Sequence, residues 1–113
     1  MIEVNEYVRT KDGVIDKVDA LYGMIENTVH LEKKKWFDIK NILKHSKQLI
    51  DLIEVEDIVR IRTGLYSSFM EFIDNEECLL ILKEQVKKFW TIEEILTKEQ
   101  MEANCYKVGG EDE

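Results

Sequence analysis

The stretch EVNEYVR at residues 3–9 decides the fold, and it returns as EVEDIVR at residues 54–60. Four of the seven positions are identical, and Glu6 aligned with Asp57 keeps the charge. In each copy the two valines fall on one face of a predicted strand, because strand side chains repeat every two residues. Two interpretations are open: coincidence between two ordinary strands, or two strand meanders that open in the same way.

The rest of the sequence predicts mostly short strands on either side of these two copies. Apolar residues mixed with polar ones predict strands over 2–9, 14–18, 24–31, 54–62, 66–73, 78–83 and 86–96. Lys11-Asp12-Gly13 is typical of a hairpin turn, because glycine adopts positive φ freely. Residues 36–45 are compatible with a helix or a strand, and Asp74-Asn75-Glu76-Glu77 is predicted as a polar hairpin loop.

Two segments predict short helices. Ser46 is expected to cap a helical turn over residues 47–53. Thr97 and Gln100 have the spacing of a capping box, which predicts a C-terminal helix over 98–106 with Met101 and Cys105 on one face. The sequence therefore predicts a single, mainly β (β-rich α+β) domain over residues 1–108, followed by a disordered acidic tail over 109–113.

Bulk composition limits the classes of function. The net charge of −8 over 113 residues argues against broad contact with a phosphate backbone, since that contact depends on Lys and Arg. No apolar run approaches the roughly 18 residues of a membrane helix, and the N-terminus lacks the pattern of a secretory signal. We therefore expect a cytoplasmic location, with Cys78 and Cys105 as reduced thiols.

Acidic residues form two groups without an intervening base, which is most often a solvated face. Such groups also suit a surface that attracts a basic partner. On that second interpretation the candidate partner-binding residues are Asp51, Glu54, Glu56, Asp57, Asp74, Glu76 and Glu77.

The residue types needed for catalysis or metal binding are scattered. The chain has two histidines, His30 and His45, and no nucleophile elbow or glycine-rich phosphate loop. Those histidines and the cysteines lack the short spacings of a zinc site. We therefore expect no enzymatic activity, no metal and no cofactor.

Two basic groups have tryptophans close by. Lys33-Lys34-Lys35 precedes Trp36, and Lys87-Lys88 lies just before Trp90. Cationic residues beside an aromatic ring are one way to hold single-stranded nucleic acid. Apolar neighbours favour the alternative, in which both tryptophans belong to the core.

The form Val-x-acidic-x-Val at Val4–Val8 and Val55–Val59 resembles the opening of SH3-like and KOW-type small barrels. Those barrels usually have glycine where Asn5 and Glu56 stand here. Asparagine adopts left-handed backbone angles readily and glutamate poorly, so we expect the turn to be less favourable in the second copy. The resemblance implies a small, partly open barrel or meander with a short C-terminal helix.

Three segments look like a group of small phage and prophage proteins of Gram-positive bacteria. They are VNEYVRTKDGVIDKV at 4–18, HSKQLIDLIEVEDIV at 45–59 and ILTKEQMEANCYKV at 95–108. The resemblance implies a non-enzymatic protein of the bacterial host cytoplasm, made during infection or lysogeny.

Three functions follow as hypotheses. The first is an accessory protein that binds another protein, in its sharper form an acidic, anti-CRISPR-like inhibitor of a basic nucleic-acid-binding host defence protein. The second is an SH3-like module that binds nucleic acid through Lys33–Lys35 and the tryptophans. The third is a component of the virion or of its assembly, joined through an exposed strand edge.

Overall fold

The structure is a computed structural model that describes residues 2–22, 27–33 and 36–104, and the protein is mainly β. Its first half contains β1 (Tyr7–Thr10), β2 (Ile15–Leu21), β3 (Thr28–Leu31), β4 (Trp36–Asp38) and β5 (Ile42–Ser46). Its second half contains β6 (Ile58–Arg62), β7 (Ser68–Phe72), α1 (Glu76–Lys88), β8 (Thr91–Leu96) and α2 (Lys98–Asn104). This architecture confirms the predicted fold class.

The first half folds into a five-stranded antiparallel sheet in the order β4-β3-β2-β1-β5, which does not close into a barrel. The predicted turn joins β1 to β2, with Gly13 at φ 88°. Residues 36–45, whose sequence is compatible with a helix or a strand, form β4 and most of β5 on either side of a 3-10 helix at Ile39–Asn41. Buried apolar residues fill one side of this sheet, and they are Ile2, Val8, Val18, Val29 and Leu31.

The second half folds into a three-stranded antiparallel sheet in the order β7-β6-β8, against which α1 packs. Alternate residues Val59 and Ile61 of β6 point into a second apolar core, as the two-residue period of a strand requires. Leu79 and Leu82 of α1 cover that core from the other side. Each half therefore buries its own set of apolar side chains.

The two copies of the repeated stretch form the same turn. Asn5 has φ 75° and Glu56 has φ 80°, so both lie in the left-handed region. The Asn5 N–H donates to Val18 O at 2.8 Å, and the Glu56 N–H donates to Ile73 O at 2.6 Å. The structure thus shows a common turn in the two copies, but not two meanders of the same type: β1 to β4 are consecutive neighbours, whereas β6 lies between β7 and β8. The poor preference of glutamate for left-handed backbone angles does not prevent the second turn from forming.

The side chains of the two turns also correspond. In the first copy the Glu3 N–H donates to the Glu6 carboxylate at 3.0 Å. In the second copy the Glu54 N–H donates to the Asp57 carboxylate at 2.7 Å. These turns occupy residues that the sequence assigned to strands, so β1 begins at Tyr7 and β6 begins at Ile58.

The predicted strand over 78–83 is wrong, because this stretch lies inside α1. The predicted hairpin loop is a helix start instead: Asn75 is the N-cap, and its side chain accepts from the Cys78 N–H at 2.9 Å. Glu76 and Glu77 follow in the first turn, where negative charge favours a helix. The predicted strand over 86–96 consequently begins only at Thr91.

The C-terminal capping box is confirmed. The Gln100 N–H donates to Thr97 Oγ1 at 3.3 Å, and the Thr97 N–H donates to Gln100 Oε1 at 3.1 Å. The helix itself is described over Lys98–Asn104. Cys105, the tail at 109–113 and the part of the predicted third strand at 24–26 lie outside the described residues.

The helical turn predicted over 47–53 is a 3-10 helix at Leu49–Leu52. Its N-cap is Gln48 rather than Ser46. The Ser46 hydroxyl still contributes nearby, since it accepts from the Gln48 N–H at 3.0 Å and donates to Asp51 at 2.6 Å.

Candidate functional site

A buried ion pair joins the two halves of the molecule. Arg9 of β1 has no exposed surface, and its guanidinium donates to the two oxygens of Asp57 at 2.6 and 2.9 Å. The same guanidinium donates to Leu52 O at 2.9 Å and to Glu99 Oε1 at 2.6 Å. Burial lowers the pKa of Arg9, but these carboxylates outweigh it and raise the pKa above its ordinary value. The guanidinium is therefore charged, and its bonds hold β1, the second turn and α2 together.

Asp57 is buried, so the candidate partner-binding surface forms without it. In addition to Arg9, its carboxylate accepts from the backbone N–H of Glu54 at 2.7 Å and of Lys98 at 2.9 Å. All four bonds end on a carboxylate that has no exposed surface. The geometry gives Asp57 a structural role.

Glu54 and Asp51 are accessible, but both already have partners. Glu54 lies 3.4 Å from Lys44 Nζ, 3.3 Å from Lys98 Nζ and 3.9 Å from Arg9 Nη2. These cations offset its charge. Asp51 is exposed and accepts from the Ser46 hydroxyl, which is a neutral donor.

The other four candidates converge at one end of the second sheet. The bond from the Glu56 N–H to Ile73 O places Glu56 beside the segment that contains Asp74 and leads into α1. All four side chains are exposed, and none has an ion-pair partner within residues 2–22, 27–33 and 36–104. We call this group the acidic edge: Glu56, Asp74, Glu76 and Glu77.

A cleft of about 930 Å³ between the two sheets was missed by sequence reasoning. Tyr7 and Ile15 line it from the first sheet, while Ile58 and Met70 line it from the second. Tyr7 and Ile58 hold equivalent positions in the two repeated stretches. This equivalence was the sequence feature that could have indicated the cleft. Charges of both signs surround the cleft, so it shows no preference for one sign of ligand: Asp16, Lys17, Glu32, Lys33, Arg60, Glu93 and Glu94.

The two tryptophans have different environments. Trp90 is half-buried and packs against the second core, which confirms the core interpretation. Its ring meets the Phe69 ring edge-on, with 5.5 Å between the two ring centroids. For Trp36 that interpretation is wrong, because its side chain is 46% exposed on the outermost strand β4. The Trp36 ring meets the His30 ring edge-on, with 5.2 Å between the two ring centroids. Lys33, three residues earlier in the sequence, is exposed, and Lys34 and Lys35 lie outside the described residues.

The histidines form separate carboxylate pairs. His30 Nδ1 lies 2.6 Å from Asp19 Oδ1, and His45 Nδ1 lies 2.8 Å from Glu6 Oε1. Burial opposes the ionisation of Glu6, but hydrogen bonds from the Glu3 N–H and His45 outweigh it and lower the Glu6 pKa. Within the part of the chain that the structure describes, no three His, Cys, Asp or Glu side chains are grouped to hold a metal ion.

Comparisons with protein-family models, with curated proteins and with solved structures give no match for this chain. Among the described residues, no helix combines the length and the apolar character needed to cross a membrane.

Proposed function

We propose that this protein acts by binding another protein through its acidic edge. The observation that carries the proposal is the convergence of Glu56 with Asp74, Glu76 and Glu77, all exposed and without ion-pair partners in the described chain. Charges left unpaired on a surface attract a partner of opposite sign over several ångströms and raise the rate of encounter. The partner is accordingly a protein with a basic surface.

In its sharper form, the proposal is that a phage or prophage accessory protein occupies the basic channel of a host nucleic-acid-binding defence protein in the bacterial cytoplasm. Such a channel is built to hold phosphates, and carboxylates compete for the same Lys and Arg side chains. The resemblance of residues 4–18, 45–59 and 95–108 to phage proteins motivates this form. The overall charge of −8 agrees with it.

The experiment is affinity capture of tagged protein from infected or lysogenic cells. The test variant combines Asp74→Asn, Glu76→Gln and Glu77→Gln, which removes charge from the acidic edge but keeps side-chain size. The matched control combines Glu32→Gln, Glu84→Gln and Glu102→Gln, three exposed acids elsewhere. Both variants lose three charges, so a general effect of net charge affects them equally.

We expect the wild type and the control to recover the same basic protein and the test variant to lose it by at least tenfold. Thermal unfolding of all three checks that the variants are folded, since Glu76 and Glu77 also favour the start of α1. Equal recovery by the two variants would remove the acidic edge as the binding surface. Unimpaired interference on co-expression with the host's CRISPR effectors would remove the anti-CRISPR-like form alone.

A second candidate function is nucleic-acid binding, favoured by the exposure of Trp36 and of Lys33, three residues before it in the sequence. An exposed ring next to a cation can stack on a base of single-stranded nucleic acid. The test is a gel shift at low salt with single- and double-stranded probes, using Trp36→Ala and the exposed Phe89→Ala as its control. Absence of a shift with micromolar wild-type protein would exclude this function.

A further inference from the structure

Strand β7 forms one outer edge of the second sheet, and part of its backbone points away from β6. The Ile73 N–H donates to Asp57 O, and the Thr63 N–H donates to Ser67 O, so odd-numbered residues of this segment bond to β6. Hydrogen bonding alternates along an antiparallel strand. The N–H and C=O groups of Ser68, Met70 and Phe72 therefore face outward, where another strand can add.

The other edge strands of the described sheets carry features that discourage pairing. β4 has only three residues. β5 contains Lys44 and has a register shift against β1, while β8 contains Glu93 and Glu94 and has a register shift against β6. Short length, charge and irregular register are the usual protections of an exposed edge.

β7 has fewer of these protections. It pairs with β6 through five consecutive residues without a register shift, and Glu71 is its single charged residue. Large apolar side chains on β7 and on the loop before it are exposed: Met70 by 57%, Phe72 by 50%, Leu65 by 84% and Tyr66 by 97%. A regular, largely apolar edge with few of these protections marks a strand that normally has a partner.

We propose that this partner is the β7 strand of a second copy, paired antiparallel about Met70. In that register Met70 faces Met70 of the other copy, Ser68 faces Phe72, and Phe69 faces Glu71. The outward-facing residues of both copies then lie directly opposite each other, which gives about six backbone hydrogen bonds, two from each of three pairs. The interface is self-complementary, as a two-fold dimer requires.

The charges of the chain are compatible with this dimer. Glu71 faces Phe69 of the other copy, so no like charges are directly opposite. Asp74 lies four residues from the Met70 centre, which separates the two copies of the acidic edge by about 27 Å along the paired strands. That distance exceeds the screening length of about 8 Å at physiological salt, so repulsion between the two acidic edges is weak.

The proposal does not depend on the function of the acidic edge, and it is tested by the mass of the protein in solution. Sedimentation equilibrium of the full chain from about 1 to 200 µM should show a concentration-dependent rise from 13.4 kDa to twice that mass. Met70→Lys places two cations opposite each other at the centre and should remain monomeric throughout. Leu80→Lys makes the same change at an exposed position of α1 and should dimerise like the wild type.

Amide hydrogen exchange tests the register. The N–H groups of Ser68, Met70 and Phe72 should become at least tenfold more protected at high protein concentration, while those of Glu93 and Glu94 on the opposite edge should not change. A wild type that is monomeric at 200 µM would overturn the proposal. Undiminished dimerisation of a folded Met70→Lys variant would overturn it as well.

Discussion

Asn5 and Glu56 adopt the same left-handed backbone conformation, with φ of 75° and 80°, at equivalent positions of two turns. The Asn5 N–H donates to Val18 O in β2, and the Glu56 N–H donates to Ile73 O, one residue after β7. A non-glycine residue rarely adopts such angles, and asparagine does so more readily than glutamate. The second turn therefore forms against the preference of its central residue.

Exchanging these two residues should change stability in opposite directions. Glu56→Asn should raise the free energy of unfolding by about 0.5–1 kcal/mol, because asparagine adopts the left-handed region at lower cost. Asn5→Glu should lower it by a similar amount. Urea denaturation at fixed salt measures both, and changes of the same sign would contradict the argument from backbone conformation.

The Arg9–Asp57 pair should be the most sensitive point of the molecule. Replacing Arg9 with methionine leaves Asp57 buried with one fewer cation, and we expect a loss of about 3–5 kcal/mol of unfolding free energy. Asp57→Asn alone should also destabilise, since it removes the buried carboxylate that binds both ends of the guanidinium and leaves Glu99 as the nearest remaining anion.

A double-mutant cycle separates the pair from its surroundings. The Arg9→Met and Asp57→Asn changes together should cost clearly less than the sum of the two single changes, because the second substitution removes the charge that the first left unpaired. Chemical denaturation of the four proteins gives the coupling energy. Simple additivity would show that the ion pair contributes little to holding the halves together.

Gly13 should tolerate no side chain. A Cβ atom there would lie 2.2 Å from Thr97 Oγ1 and 2.8 Å from Glu99 Cβ, and φ is 88°. Gly13→Ala should therefore cost about 2–4 kcal/mol of unfolding free energy, from strain and from displacement of α2. Gly64→Ala is the control, because nothing lies within 4 Å of its Cβ position. Comparable thermal melting of the two variants would contradict this close approach.

Local signals explain which parts of the fold were predictable from sequence. The Asp12-Gly13 turn and the Thr97–Gln100 capping box depend on neighbouring residues, and both are confirmed. Helix α1 was missed because the apolar run CLLIL at residues 78–82 has a length that suits a strand. The available signals were Asn75 as a cap and the helical spacing of Leu79, Leu82 and Val86.

The candidate site was only partly predictable, for a different reason. Whether a side chain is exposed depends on contacts between segments that are distant in sequence. The residues that flank Asp57 in the sequence do not indicate that Arg9, 48 residues away, covers its carboxylate. The acidic edge likewise needs the bond between Glu56 and Ile73 to unite two groups that are separate in sequence. The repeat was the one sequence feature that pointed to this long-range order.

Glu6 should make stability depend on pH. Its pKa in the folded protein is lowered, so between that value and the ordinary value of about 4.3 the unfolded chain binds more protons than the folded chain. The stabilisation by Glu6 is therefore fully present above about pH 4.3 and is lost as the pH falls through the folded pKa. Glu6→Gln should destabilise at pH 6 and converge with the wild type in acid, as measured by urea denaturation from pH 7 to 3. Glu102→Gln is the control, because it reports the general effect of losing one negative charge. If the unfolding free energies of Glu6→Gln and the wild type changed in parallel with pH, the bonds from Glu3 and His45 would not favour the ionised carboxylate.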